Sequence, residues 1–235
     1  MVKLLGTIYR KKTNQESEIL TFGKSEEVFE KDIIDGISRF GGTMRQPNYS
    51  YAYLKSARVL LDNASVNKQL DEFGLPVFYM VRHTLELKIK DLLSLAYDIL
   101  QMNHELYNNE DTKVNLPSNG QLDRLRKNHI ISSLYNDLLH SCEKLEVKVP
   151  ELLFSSVIKV LNHYEVNPTW SRYNKSNKGS HVADEVTLPI VKLVEDLEMI
   201  FVAVSYDSDN FKETMESELY SEFNSLMSRI EDTKC

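Results

Sequence analysis

The segment 78–93, FYMVRHTLELKIKDLL, places a cation and a carboxylate at a spacing that supports ion-pair chemistry. Its apolar residues recur with the helical period, and Arg82 falls on the shoulder of that apolar face. An unpaired charge shielded from water costs on the order of several kcal/mol, so Arg82 requires a partner, and Glu86 follows one turn later. Either this pair is a salt bridge that fixes helix packing, or Glu86 holds Arg82 toward a cleft and an anionic ligand. His83 points away from the apolar face, which predicts a surface histidine.

Two further segments carry side chains that bind anions. His129 directly precedes the helical run IISSLYNDLL, so it is expected near a positive helix end, where anions bind. A capping or surface histidine is the alternative. A later loop contains Arg172, Tyr173 and Lys175 without an acidic residue among them. Basic and aromatic side chains together grip phosphates and stack bases, whereas the alternative for this loop is an ordinary solvated connection.

Several chemistries lack their motifs in this sequence. It contains no Gly-rich phosphate loop, no HExxH, no EF-hand loop and no GxSxG. A di-iron bundle needs Glu-x-x-His on two helices, whereas this chain has the order reversed, as in His83-x-x-Glu86. The two cysteines, Cys142 and Cys235, are too few for a cysteine zinc site or a disulfide framework. We therefore expect no metal and no cofactor, and a reducing cytoplasm as the location.

The overall charge is acidic. The chain has 235 residues, and 28 Lys and Arg against 35 Asp and Glu give a net charge of −7. No global basic field exists to attract nucleic acid, so any RNA site must be a local patch. The composition, 42% hydrophobic and 27% charged, is typical of a soluble globular protein. Apolar runs are short and the first residues lack a signal-peptide pattern, so no membrane association is expected.

The hydrophobic period predicts an all-α bundle of about five or six helices. The predicted helices begin near Tyr49, at Pro76, near Ile131, at Pro150, near Thr187 and near Phe211. The helix from Pro76 carries apolar side chains on two flanks, so it should lie at the centre of the bundle. The polar stretches 108–120 and 167–181 are predicted to be loops.

The two ends of the chain differ from the bundle. Residues 1–45 are expected to form a small β/α extension, a hairpin followed by a helix that Ser25 caps and Gly41-Gly42 ends. We divide the chain into this extension, a helical domain over 46–205 and an acidic C-terminal helix over 206–235.

The predicted C-terminal helix keeps an apolar side, formed by Phe211, Met215, Leu219, Leu226 and Ile230. That side must be buried on its own domain or on a second copy, because soluble monomers rarely expose a large apolar patch. A homodimer is therefore expected. In it, the acidic tail can lie against the stretch 39–61, which has four Lys and Arg and no acidic residue.

The succession of helices resembles the HEPN superfamily (higher eukaryotes and prokaryotes nucleotide-binding). The resemblance rests on the helix YAYLKSARVLLDNA, the helix PVFYMVRHTLELKIKDLL, a helix opened by His129 and an Arg-Tyr pair after a loop. It covers about residues 49–205 and implies a four- or five-helix bundle, commonly a homodimer, of bacterial toxin–antitoxin or anti-phage systems. Many members are metal-independent ribonucleases, and others only bind nucleotides or partner proteins.

The nuclease members carry an arginine followed after four to six residues by a histidine, which here matches Arg124-LRKN-His129. The resemblance thus implies an endoribonuclease in which His129 takes the proton of a 2′-hydroxyl or protonates the leaving oxygen. Arg82, Arg124 or Arg172 would stabilise the charge on phosphorus. The substrate contacts would come from Glu86, Arg172, Tyr173 and Lys175. Expected partners are RNA or a nucleotide and a cognate antitoxin or defence protein, and the alternative is a non-catalytic binding module.

Overall fold

The computed structural model describes residues 25–38, 48–108, 110–164, 175–176, 179–180, 185–205 and 213–234. The chain divides into two compact units, residues 1–48 and residues 49–235. The predicted hairpin in residues 1–24 lies outside the described residues.

The described part of the first unit contains one helix, α1 (Glu26–Ile34). It begins directly after Ser25, the predicted cap, whose side chain accepts a hydrogen bond from the Val28 backbone N–H. It ends earlier than predicted, since the chain turns at Gly36 in the left-handed conformation, with φ of 64°. The expected stop at Gly41-Gly42 is therefore wrong for this helix.

The second unit is a helical bundle, as the sequence predicts, with eight helices and one short hairpin among its described residues. The helices are α2 (Tyr49–Val66), α3 (Leu70–Tyr107), α4 (Glu110–Asn115), α5 (Asn119–Lys127), α6 (Ile131–Lys144), α7 (Glu151–Tyr164), α8 (Ile190–Val204) and α9 (Met215–Lys234). The hairpin pairs β1 (Lys175–Ser176) with β2 (Gly179–Ser180) in antiparallel register.

Helix α3 lies at the centre of this unit, as its two apolar flanks predict. It packs against α2, α6, α8 and α9. The side chains of Phe78, Val81, Leu85 and Ile89 have no exposed surface. The helix begins at Leu70 rather than at Pro76, which lies inside it. Pro76 is the seventh residue of this helix and lies beyond its first turn, so it removes one i→i−4 backbone hydrogen bond from the helix. The predicted start was wrong by six residues.

One other prediction needs correction. The stretch 108–120, expected to be a loop, contains α4 and the start of α5. Helix α5 is mostly polar and none of its residues is fully buried, although Leu122 and Leu125 pack against the core. Two apolar residues in nine are too few for a hydrophobic period to predict this helix. Its start is fixed by a capping box, in which Ser118 and Gln121 exchange hydrogen bonds with each other's backbone.

The structure shows where the apolar side of the acidic C-terminal helix, α9, is buried. Met215, Leu219, Leu226 and Ile230 are buried, and α9 packs against α3. Of the two alternatives, burial on its own domain is therefore the one observed. Phe211 lies outside the described residues. The apolar side of α9 consequently gives no reason to expect a dimer.

Replacing Leu85 by alanine is expected to lower the free energy of unfolding by about 2–5 kcal/mol, through the cavity that it leaves. Leu85 is fully buried on the central helix. Leu152→Ala is the matched control, because Leu152 on α7 is 87% exposed, and its effect should stay within about 0.5 kcal/mol. Urea denaturation of the two variants measures both values, and equal midpoints would contradict the central position of α3.

No helix in the described part of the chain is both long enough and apolar enough to span a bilayer.

Candidate active site around His129

Helix α3 contributes a buried ion pair to the candidate site. Arg82 and Glu86 lie one turn apart, and only 2% of each side chain is exposed. The Arg82 Nη1 donates to Glu86 Oε2 at 2.5 Å. One turn further, Lys90 Nζ donates to Glu86 Oε1 at 2.9 Å. The predicted pairing of Arg82 with Glu86 is confirmed, and Glu86 is shared between two cations of its own helix.

The connection between α5 and α6 brings His129 to this pair. Asn128 caps the end of α5, and its side-chain oxygen accepts from the Ile130 backbone N–H. These local bonds direct the His129 side chain to α3, where Nδ1 lies 2.7 Å from Glu86 Oε1. The Arg82 Nη2 also donates to the His129 backbone carbonyl. The loop is therefore fastened to α3 by both its main chain and its side chain.

The charge of Glu86 determines which ring nitrogen of His129 carries the proton. Burial raises the pKa of Glu86, but hydrogen bonds from Lys90, Arg82 and His129 together outweigh burial and hold this pKa below its ordinary value. An ionised carboxylate only accepts hydrogen bonds, so the His129 Nδ1 must be the donor. In the neutral ring the other nitrogen, Nε2, is then the one able to take a proton.

His129 is accessible although its partners are not. Its side chain is 55% exposed, against 2% for Glu86. The structure gives Nε2 no hydrogen-bond partner among the described residues. An exposed imidazole oriented by a buried carboxylate is the arrangement by which proteins hold a general base in one tautomer.

Arg82 itself is enclosed by protein. Its guanidinium contacts Glu86 and the His129 main chain, and 1% of the residue is exposed. In this conformation Arg82 positions the other two residues and does not face solvent. The interpretation of the Arg82–Glu86 pair as a salt bridge that fixes packing is the one its burial favours.

Arg124 lies in the same part of the chain but has a partner of its own. Its Nε and Nη2 donate to the two carboxylate oxygens of Asp137 on α6, at 2.7 and 2.8 Å. This forked pair ties α5 to α6, and the hydrogen bond to Asp137 raises the pKa of Arg124 above its ordinary value. The Arg124 side chain stays 42% exposed, so one edge faces solvent.

The structure thus brings together Arg82, Glu86 and His129 of the predicted site residues. Arg172 and Tyr173 lie outside the described residues, as does the side chain of Lys175. His83, which was predicted to lie at the surface, is partly exposed. Its ring stacks on that of Tyr79, with centroids 5.6 Å apart, and meets the Tyr53 ring edge-on at 4.7 Å.

Sequence reasoning missed three residues of this region. Lys90 follows Glu86 at i+4, the more favourable order for a helical ion pair, so this spacing was a usable signal. Asp137 gave no such signal, because its partner Arg124 lies on another helix. Arg126 in the last turn of α5 is exposed and has no ion pair among the described residues.

The sequence matches no protein-family model, and no curated protein or solved structure matches it significantly. Among the described residues, no group of three or more His, Cys, Asp or Glu side chains is arranged to hold a metal ion.

The buried Glu86 carboxylate is expected to make stability depend on acid. Its folded-state pKa lies below the ordinary value of 4.5, so its contribution is fully present at neutral pH and is lost as pH falls through the folded-state pKa. Glu86→Gln should therefore be less stable than the parent at pH 7, and the difference should shrink below about pH 4.5.

Chemical denaturation at several pH values measures this difference. Glu143→Gln is the control, because the Glu143 side chain is exposed and its contact with His140 is long, at 3.8 Å. This substitution should change the free energy of unfolding little at every pH. A constant difference between the parent and Glu86→Gln down to pH 3 would contradict the ionised state of Glu86.

Proposed function

We propose that this protein cleaves RNA without a metal ion, with His129 as the group that moves the proton. The observation that carries the proposal is the hydrogen bond between the buried Glu86 carboxylate and the exposed His129 ring, 2.7 Å between Oε1 and Nδ1. His129 keeps more than half of its side chain in solvent, whereas the carboxylate that orients it is buried. The buried, charged partner fixes the ring without blocking Nε2.

The chemistry is an internal transfer within the RNA. The 2′ oxygen attacks the adjacent phosphorus, a bond from phosphorus to the 2′ oxygen forms, and the bond to the 5′ oxygen breaks. His129 Nε2 takes the 2′ proton, or in its charged form gives a proton to the leaving 5′ oxygen. The products are a 2′,3′-cyclic phosphate and a 5′-hydroxyl. Glu86 holds the ring in one tautomer.

Cations near His129 suit a phosphate. Arg126 is separated from His129 by two residues, so their α-carbons lie within about 11 Å of each other. Arg126 is exposed, and the exposed edge of Arg124 lies one half-turn earlier on the same helix. We assign phosphate binding to these two arginines, with Arg172 and Lys175 as further candidates. Arg82 is a positioning residue, because it touches Glu86 and the His129 main chain.

The biological setting follows the resemblance to the HEPN superfamily. In that setting the protein is a cytoplasmic toxin or effector of a bacterial toxin–antitoxin or anti-phage system, held in check or activated by a partner protein. A nuclease that acts on cellular RNA is harmful to its host, so such proteins require control by a partner or by a signal.

A non-catalytic module that binds a partner protein or a nucleotide is the second candidate. This candidate is favoured because Arg82 and Arg124 are already engaged in ion pairs. Arg82 is enclosed by protein, and Arg124 is held by both carboxylate oxygens of Asp137. In such a module the Glu86–His129 contact would only fasten the loop before α6 to the central helix.

Incubation of the purified protein with total cellular RNA, with and without EDTA, separates the two candidates. The proposal requires cleavage in both reactions and new ends that carry a 5′-hydroxyl, which direct labelling with polynucleotide kinase detects. Intact RNA in both reactions supports the binding module. Cleavage that EDTA abolishes contradicts the metal-independent mechanism.

A homodimer is part of the proposal, and it now rests on the resemblance alone. Light scattering at micromolar concentration should give a mass near twice the 27.2 kDa of one chain. A mass of one chain that stays the same on dilution and at different salt concentrations would exclude the dimer. Cleavage of RNA by such a monomer would leave the role of His129 untouched, because Glu86 and His129 belong to one chain.

A further inference from the structure

Three aromatic rings form a cluster beside the candidate site. Tyr79 and His83 on α3 stack with their planes 8° apart, and the Tyr53 ring on α2 meets His83 at 85°. All three residues are partly exposed. The core contact between α2 and α3 is made by other residues, since Leu54, Ala57 and Leu61 of α2 are buried. The cluster therefore lies at the edge of the α2–α3 interface, and each of its residues is partly exposed.

The cluster and the acid–base pair share one face of α3. At 100° per residue, Tyr79, His83, Glu86 and Lys90 fall within an arc of about 60°. At a rise of 1.5 Å per residue, His83 lies about 4.5 Å and Tyr79 about 10.5 Å along the axis from Glu86. His129 reaches this same face through Glu86. A ligand whose reacting group lies at His129 can therefore extend along α3 onto the rings.

The chemistry of the face suits an unpaired nucleotide. Partly exposed aromatic rings provide surfaces on which nucleobases stack, and nearby cations bind the phosphates. An exposed cation, Arg126, lies near His129, whereas Lys90 on the same face is 18% exposed and donates to Glu86. A base within an A-form duplex is already stacked on both sides, so only a single strand offers a free base face.

We propose that Tyr53, Tyr79 and His83 form a base-stacking site for single-stranded RNA, next to the phosphate that His129 attacks. This inference rests on the proposed function, and it specifies the substrate as an unpaired strand with at least one base seated on the Tyr79–His83 stack. His83 supports the Tyr79 ring from one side, and Tyr53 holds the His83 ring in place.

A binding measurement with uncleavable probes tests the site. The probes are a fluorescent 2′-O-methyl RNA octamer, which lacks the nucleophilic hydroxyl, and an abasic octamer of the same length and charge. Fluorescence anisotropy should show that the octamer with bases binds more tightly than the abasic one by roughly five- to a hundredfold. Equal affinity for the two probes, or no binding of either, overturns the proposal.

Variants locate the effect on the cluster. Tyr79→Leu keeps an apolar side chain but removes the aromatic face, so it should reduce the preference for the octamer with bases to near that of the abasic probe. Tyr79→Phe keeps the ring and should retain the preference. Tyr220→Leu on α9 is the matched control, because Tyr220 is exposed and lies outside the cluster. A preference that survives in folded Tyr79→Leu, checked by its thermal midpoint, also overturns the proposal.

The same measurements separate this inference from the proposed function. Base-dependent binding without RNA cleavage leaves the stacking site in place and contradicts the nuclease. Cleavage of RNA by a protein that binds the two octamers equally supports the nuclease and contradicts the stacking site.

Discussion

Replacing His129 by alanine is expected to slow RNA cleavage by about a hundred- to ten-thousandfold, the usual contribution of a positioned acid–base group. The variant loses the nitrogen that exchanges a proton with the RNA. It keeps the arginines of α5, so binding of an uncleavable RNA should change little. This combination of a large loss in rate and a small loss in affinity is typical of a residue that acts in the chemical step.

His140→Ala is the matched control for His129→Ala. Both histidines are exposed, with 58% of the His140 side chain and 55% of the His129 side chain in solvent, and each lies near a glutamate. The glutamate near His140 is the exposed Glu143, at 3.8 Å, and not a buried carboxylate. His140→Ala should therefore cleave RNA like the parent. Equal loss of rate in the two variants would contradict a specific role for His129.

Expression in a bacterial host gives a second readout of the same variants. If cleavage of host RNA limits growth, the parent and His140→Ala should slow growth, and His129→Ala should not. Slow growth with all three proteins at equal expression would show that toxicity has another cause.

Replacing Arg82 by methionine is expected to lower the free energy of unfolding by about 3–5 kcal/mol. Methionine matches much of the aliphatic volume of arginine, so the packing loss is small. The main cost comes from Glu86, whose 2%-exposed carboxylate loses one of its cations inside the protein. The His129 carbonyl loses its donor as well, which loosens the loop before α6.

Arg58→Met is the matched control for Arg82→Met. Arg58 on α2 also pairs with a glutamate, Glu198 on α8, but both side chains are about a third exposed. Water and salt screen such a pair, so its removal should cost no more than about 1 kcal/mol. Urea denaturation compares the two variants. Similar losses for both would show that the Arg82–Glu86 pair gains nothing from its burial.

Arg82→Met also separates positioning from chemistry. If Arg82 only holds Glu86 and His129, the folded variant should keep measurable cleavage, reduced by the looser placement of the imidazole. Complete loss of cleavage in folded protein, equal to the loss in His129→Ala, would instead indicate that Arg82 touches the RNA.

Helix α3 illustrates what the sequence determines alone. Its apolar residues recur every 3.6 residues on two flanks. A helix with that pattern buries both flanks only at the centre of a bundle. The pairing of Arg82 with Glu86 is equally local, because helix geometry places side chains four residues apart next to each other. The position of His129 just before a helix also follows from the sequence, since the hydrophobic run begins at the next residue.

The contacts that make a site are decided by tertiary structure. Glu86 and His129 are 43 residues apart, and no spacing rule relates them. Their contact depends on α5, a short and mostly polar helix that begins at the Ser118 capping box. The Arg124–Asp137 pair and the packing of Leu122 and Leu125 hold it in place. A nine-residue helix with two apolar residues has no sustained hydrophobic period, so the pattern of apolar residues predicts neither its presence nor its partners.

His83 and α9 also show that the sequence does not predict which elements pack against each other. The angular position of His83 on α3 placed it away from the apolar face, but that position did not predict its contact with the Tyr53 ring of α2. The apolar side of α9 had to be buried somewhere, and the sequence could not choose between this chain and a second copy. Hydrophobic burial has no direction, so a sequence determines which faces leave water, whereas the packing of whole helices determines which partners they meet.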